Sequence, residues 1–431
     1  PMKPSPENPL PVRPVPTPTW IAIGAILLLG FLQFWVRTMP VRFATTDDLA
    51  FQAEADRGHG ADYMTEAAHT QARFYYATPI FHRALLALYE VPSPWLFSLW
   101  RAAGFYLQIG LAAWLVARVL GHAVHGAAVA LLLTGVLHLP PTFYLVLSYP
   151  FNWIGGSALL AALLCHHAYL QQRRLWSGIM AAGLYLLACL MHELFVLFLP
   201  TFVALSLHSS RGGWRGLIRA NLGPAVVAGS YLLVYFAFAR EYPTSYEGTR
   251  LSADFTAAGK ILVRQMAGIT PGFELLVNRP PAGTPGPLLR PLAEIGLTLR
   301  QLPMTDLWLG LGQALVLTWV LARCLRHASP GARHWPWLLA WAVVLNLPVA
   351  FSEKYQTFIF HREYPYAYGF YSYLCAGMAG VGAVAWLGGR PTTPGERRVW
   401  VGAFAAAAVI FCVSAQASNH RILHLLLQRF N

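Results

Sequence analysis

Two adjacent carboxylates, Asp47 and Asp48, stand in the run Thr45-Thr46-Asp47-Asp48-Leu49-Ala50-Phe51, a few residues after a hydrophobic segment long enough to cross a bilayer. Side chains at neighbouring positions of an extended or turn segment point apart, so one carboxylate can face a substrate while the other is held by backbone amides or an arginine. Mutual repulsion and partial desolvation make one of the pair the stronger base, which suits removal of a proton from a hydroxyl as a bond forms to carbon. By itself an acidic pair after a span fits a solvated loop equally well.

Cations that could stabilise a leaving anionic group are Lys354 and Arg362, followed by Arg83, Arg264 and Arg42. Phe360-His361-Arg362-Glu363-Tyr364-Pro365-Tyr366 sets a cation among aromatics, where the planar guanidinium can hold a phosphate with two parallel hydrogen bonds. The same cluster also reads as an interfacial anchor. His192-Glu193 can orient an acceptor, help to hold a metal, or cap and pair at a helix turn. Tyr149 and Asn152 occupy a short turn, Ser148-Tyr149-Pro150-Phe151-Asn152, and Asp56, His59 and Asp62 form a weaker metal candidate without a fourth ligand. The five cysteines all lie in apolar runs without paired spacing and read as core residues.

The elements that carry these residues are hydrophobic. Of 431 residues, 56% are hydrophobic and 11% charged, with a mean hydropathy of +0.46, whereas soluble domains carry about 25% charged residues. An all-α polytopic membrane protein follows, with spans at 20–39, 95–117, 126–146, 151–170, 175–191, 193–208, 223–240, 305–323, 336–351, 366–388 and 399–417, about eleven crossings. The net charge of +13 does not point to nucleic acid. With the N-terminus inside, the cytoplasmic segments collect Arg118, Arg173, Arg174, Arg211, Arg215, Arg219, Arg323, Arg326, Arg333, Arg390, Arg397 and Arg398 against Glu7 and Glu396, so the positive-inside rule absorbs nearly all the excess.

Residues 1–19 are expected as a disordered cytoplasmic tail and 20–431 as one transmembrane domain with outer loops at about 40–94, 241–304 and 352–365. An interfacial helix is expected in the first loop after Thr78-Pro79, with Phe81, Leu85 and Leu88 on one face. A second is expected where Phe255, Ala258, Leu262 and Met266 recur with Lys260 and Arg264 on another face. The stretch from Leu175 to His208 is too long for one crossing, and Glu193 interrupts it; two short helices meeting at a surface turn avoid a charge at the bilayer centre.

A first span followed by an acidic pair in a long outer loop, then many spans with the paired short helices around His192-Glu193, resembles the GT-C class of glycosyltransferases. That resemblance implies an integral membrane enzyme using a polyprenyl-phosphate-linked sugar. Asp48 would be the catalytic base, Asp47 its positioning partner, and Arg362, Lys354, Arg83 and Arg264 the donor phosphate ligands. His192, Glu193, Tyr149 and Asn152 would serve the acceptor or the turn. The acceptor would be a hydroxyl of a glycan, lipid or protein. Where the class binds a divalent metal, a second acid stands in the next outer loop; here that loop offers Tyr149 and Asn152, so no metal or other cofactor is expected. A polyprenyl monophosphate fits, since Arg and Lys can neutralise one leaving phosphate. Only three of the 31 Lys and Arg residues are lysines, which points to a GC-rich bacterial genome, an inner membrane and a periplasmic active site. Two alternatives remain: a ligase moving a glycan from a polyprenyl diphosphate through His361 and Arg362, and a lipid or polysaccharide transporter, which would place ionisable residues within the spans.

Overall fold

The computed structural model describes residues 17–41, scattered positions between 53 and 87, and 94–137, 150–209, 213–248, 250–272, 299–361, 369–390 and 393–430. Within them the chain is helical, apart from one isolated antiparallel bridge between Leu251 and Ser352. The helices are α1 (Thr17–Thr38), α2 (Pro94–Leu120), α3 (Ala123–Gly135), α4 (Pro150–Gln172), α5 (Leu175–Met191), α6 (Leu199–Ser209) and α7 (Gly213–Glu241). They continue as α8 (Phe255–Gly268), α9 (Met304–Cys324), α10 (Trp335–Val344), α11 (Leu347–Ala350), α12 (Glu353–His361), α13 (Gly369–Gly388) and α14 (Pro394–Phe430). Two 3-10 segments, Glu193–Phe198 and Pro330–His334, lead into α6 and α10.

Six of these helices, α2, α4, α7, α9, α13 and α14, are long and apolar enough to cross a membrane. The apolar parts of α1, α3, α5 and of the segment from Glu193 to His208 are shorter. One expected span is broken. The run 336–351 divides at Leu345 and Asn346 into α10 and α11, because Pro348 brings no amide hydrogen to a continuing helix. Asn346 turns its side-chain amide back to the Ala342 carbonyl (2.8 Å) and to Ser372 Oγ (2.7 Å). The helix that carries the expected span 399–417 is longer than that span: α14 continues unbroken from Pro394 to Phe430.

In lipid there is little hydrophobic drive between helices, so close packing over small residues holds them together. Gly126 of α3 illustrates this: a Cβ there would stand 2.6 Å from the Ala113 carbonyl oxygen of α2. Gly377 likewise admits Leu133, and Gly104 admits Trp153. Phe34 and Phe105 stack at 5.7 Å between α1 and α2, and Phe195 meets Tyr371 edge-on at 5.3 Å.

The two ends of the bundle differ. At one end the His122 ring at the α2–α3 turn stacks on His327 after α9 (3.9 Å), and His208 of α6 meets His334 (5.4 Å). Arg323 and Arg390 lie over Trp319 and Trp386 there. We call this the basic end. The opposite, loop end receives the C-termini of α1 and α5 and the N-termini of α2, α4, α9 and α13, tied to one another by the contacts described next.

Candidate functional site

The α5 helix stops at Met191 because His192 adopts an extended conformation (φ −164°, ψ 138°). Its Nδ1 accepts the Leu194 amide at 3.1 Å and so caps the 3-10 segment. The break expected at His192-Glu193 is therefore present, as two short helices joined by a 3-10 turn.

Part of the first long loop is seated in this break. The Ala77 amide donates to the Leu190 carbonyl (3.1 Å) and Thr78 Oγ1 to the Met191 carbonyl (2.7 Å). Thr78 thus donates its hydroxyl to the end of α5. Tyr231 of α7 donates to the Phe74 carbonyl (2.8 Å), Thr244 to the Thr70 carbonyl (2.6 Å), and His69 stacks on Tyr242 (4.6 Å). At the centre, Arg73 donates to Glu193 Oε1 through Nε (2.8 Å) and a terminal nitrogen (2.5 Å). That terminal nitrogen also lies 2.9 Å from His192 Nε2.

Both nitrogens of His192 therefore face N–H donors, yet a neutral imidazole has one acceptor. Burial, reinforced by Arg73 against the opposing pull of Glu193, holds the His192 pKa down to about 4. The ring is neutral and divides its lone pair between two tautomers. With Nε2 accepting from Arg73, Nδ1–H turns toward Glu193 Oε2, 3.5 Å away, and the Leu194 cap is given up. Glu193 Oε2 is buried and otherwise unpartnered among the described residues.

The same loop is held at its start. Arg101 of α2 is fully buried and donates to the Val41 carbonyl at 2.9 Å, six residues before Asp47. Thr38 and Ser98 share a 2.5 Å hydroxyl contact beside it. Nearby, where α2 faces α4, several buried polar atoms lack partners among the described residues: Trp100 Nε1, Asn152 Nδ2, Trp153 Nε1, Ser157 Oγ and Gln108 Oε1. The two indoles touch at 4.7 Å, and the Asn152 carbonyl accepts the Tyr371 hydroxyl at 2.7 Å. Unsatisfied polar atoms at this density mark a place where water or a polar ligand completes the bonding.

On the far side of α1, Arg37 pairs with Asp306 of α9 and donates to Gln416 of α14 (2.6 Å). Gln416 passes the bond to Gln313 (2.9 Å), and His420 lies 3.6 Å from the other Asp306 oxygen.

Two later loops form a unit. The Ser252 amide donates to the Phe351 carbonyl (2.7 Å) and the Glu353 amide to the Arg250 carbonyl (3.1 Å). Against this bridge Lys354 Nζ donates to the Tyr246 hydroxyl (3.0 Å), with the Tyr246 and Tyr355 rings 5.1 and 5.7 Å away. Asp254 caps α8 through the Ala257 amide (2.9 Å). The α8 face differs from the expected one: Ala258, Ile261 and Gln265 are buried against α11 and α12, while Phe255 is 74% exposed. Protein covers the apolar stripe, so α8 docks on its neighbours with Arg264 half-buried on its flank.

Asp47, Asp48, Arg83, Tyr149 and Arg362 fall outside the described residues, as do Arg42, His59 and Asp62. His192 and Glu193 come together with Arg73, which the sequence reading had not singled out. Asn152 lies beside the orphaned indoles, and Lys354 and Arg264 belong to the α8–α12 unit. Arg101 also escaped notice, although an arginine seven residues into an apolar helix is itself a signal. Among the described residues no cluster of His, Cys, Asp or Glu has metal-binding geometry, and the cysteines are free.

Fold and site together define an all-helical chain consistent with a multi-pass membrane protein. No protein-family model, curated protein or solved structure matches it.

Proposed function

We propose that this chain is a GT-C-type glycosyltransferase that moves a sugar from a polyprenyl monophosphate to a hydroxyl of a glycan, lipid or protein. The observation that carries the reading is the double anchoring of the first long loop. Arg101 holds it at Val41, and the Arg73–Glu193–His192 contact holds it at the helix break, so anchored residues stand on both sides of Asp47 and Asp48 in the sequence. In the reaction Asp48 takes the acceptor proton as the acceptor oxygen bonds to the anomeric carbon, and the carbon–oxygen bond to phosphate breaks. Polyprenyl phosphate leaves with the bonding pair, and one displacement inverts the centre. Asp47 positions the acceptor, and Arg362, Lys354, Arg83 and Arg264 neutralise the leaving phosphate without requiring a metal. The orphaned donors around Asn152 and Trp153 supply hydrogen bonds for a sugar.

The proposed topology sets the N-terminus in the cytoplasm and the loop end in the periplasm of a bacterial inner membrane. The six long helices with α1, α3, α5, α6 and the α10–α11 pair make up about eleven crossings. The deciding experiment is native mass spectrometry of the protein in mild detergent, followed by turnover of the donor it retains. A polyprenyl phosphate sugar that is lost on Arg362→Ala, with turnover abolished by Asp48→Asn, is the expected outcome. A retained polyprenyl diphosphate glycan, turned over normally by Asp48→Asn, would move the assignment to a ligase.

A further inference from the structure

A crevice opens between α2, α6, α10 and α13 toward the basic end, at the opposite end of the bundle from the proposed catalytic loops. Its empty space is about 840 Å³, a figure that includes open solvent at the mouth. Ala204 and Gly382 line it on the small-residue side, with Trp335 packed closely on Gly382, and Leu120, Trp341 and Met378 complete the wall. The lining is almost wholly apolar, so a charged or sugar-like occupant is excluded from its depth. Two polar atoms there are nonetheless buried without partners among the described residues, Thr201 Oγ1 and Trp341 Nε1. Neither atom is exposed to the empty crevice, so neither specifies its occupant.

The rim differs from the depth. His208 and His334 meet there, and exposed Arg333 precedes His334, with its Nε 3.0 Å from His334 Nε2. No carboxylate pairs with Arg333 among the described residues. A cation with two free terminal nitrogens at the mouth of an apolar slot is complementary to a phosphate attached to hydrocarbon.

The geometry points to an anionic glycerophospholipid as the occupant, one chain in the crevice and its phosphate at Arg333 and His334. This site is separate from the donor site, and neither reading depends on the other.

The test is titration of the delipidated full chain in mild detergent with dioleoyl phosphatidylglycerol or dioleoyl phosphatidylcholine, read by native mass spectrometry. Both lipids carry the phosphodiester, but the choline cation of the second offsets its charge and repels Arg333, so the wild-type protein should bind the first lipid about tenfold more tightly. Arg333→Gln, a change at an exposed position that leaves the packing intact, should erase that preference. Ala204→Phe fills the crevice and should weaken both lipids. A preference that survives Arg333→Gln, or unchanged binding in a folded Ala204→Phe protein, overturns the assignment. Should Ala204→Phe fail to fold, Arg333→Gln alone decides.

Discussion

Replacing Arg73 with methionine strips Glu193 of its counter-charge while keeping most of the side-chain volume. Breaking a fully buried pair from one side costs about 3–5 kcal/mol, because the remaining charge is stranded. Here the two side chains are 19% and 26% exposed, so water recovers part of that cost and about 2–3 kcal/mol is the reasoned value. Glu193→Gln should destabilise by removing the charge opposite Arg73 while its amide oxygen still accepts one hydrogen bond. The double variant removes both charges and should cost about 2 kcal/mol less than the two single changes combined. Reversible unfolding from mild-detergent micelles into SDS, followed by tryptophan fluorescence, measures all four corners of the cycle. Because Arg73 belongs to a loop seated on the break, part of the loss is local. Proteolysis within residues 42–67 should then accelerate about thirtyfold, the equivalent of 2 kcal/mol. Additive single effects each below about 0.5 kcal/mol would show a solvent-screened pair and refute the anchoring on which the proposed function rests.

The buried neutral His192 makes a pH-dependent contribution. Its folded pKa of about 4 lies below the ordinary 6.5, so the unfolded chain binds the extra proton first, and stability present above pH 6.5 is lost as pH falls toward 4. His192→Asn keeps an acceptor for the Leu194 cap and should show a flatter stability profile across that window; identical profiles would remove the role of burial. Gly126→Ala should cost about 1–3 kcal/mol by pushing α3 off the α2 carbonyl, read as a shift in the SDS midpoint, and an unshifted midpoint would contradict the close approach. Lys354→Met should weaken donor retention about tenfold without moving the midpoint; a matching loss of stability would assign Lys354 to the tyrosine cage alone.

Much of the architecture was readable locally. Hydropathy exposes the long helices, and Glu193 within an apolar run requires the break at His192, since a charge there needs a surface or a partner. The identity of that partner was not readable, because Arg73 lies 120 positions away in a loop without periodicity. Leu345 to Ala350 is apolar enough to hide the effect of Pro348, so a hydropathy window runs through a bend. The packing at the end of α14 was not readable either. Gln416, Ser418 and Asn419 are buried, with Asn419 donating to the Leu137 carbonyl at 2.7 Å. Polar residues that bond across helices resemble polar residues facing solvent until the neighbouring helices are in place.

The Arg37 seam has a consequence for biosynthesis. Arg37 ends α1, whereas Asp306 follows it by 269 positions and Gln416 by 379. At roughly 5–20 residues per second the two partners arrive about 15–75 s later. For that interval Arg37 has neither partner, and the flexible stem of arginine lets its cation stay in water. The seam therefore closes only when Gln416 is delivered, and a chain truncated before Gln416 would leave α1 without its clasp to α14.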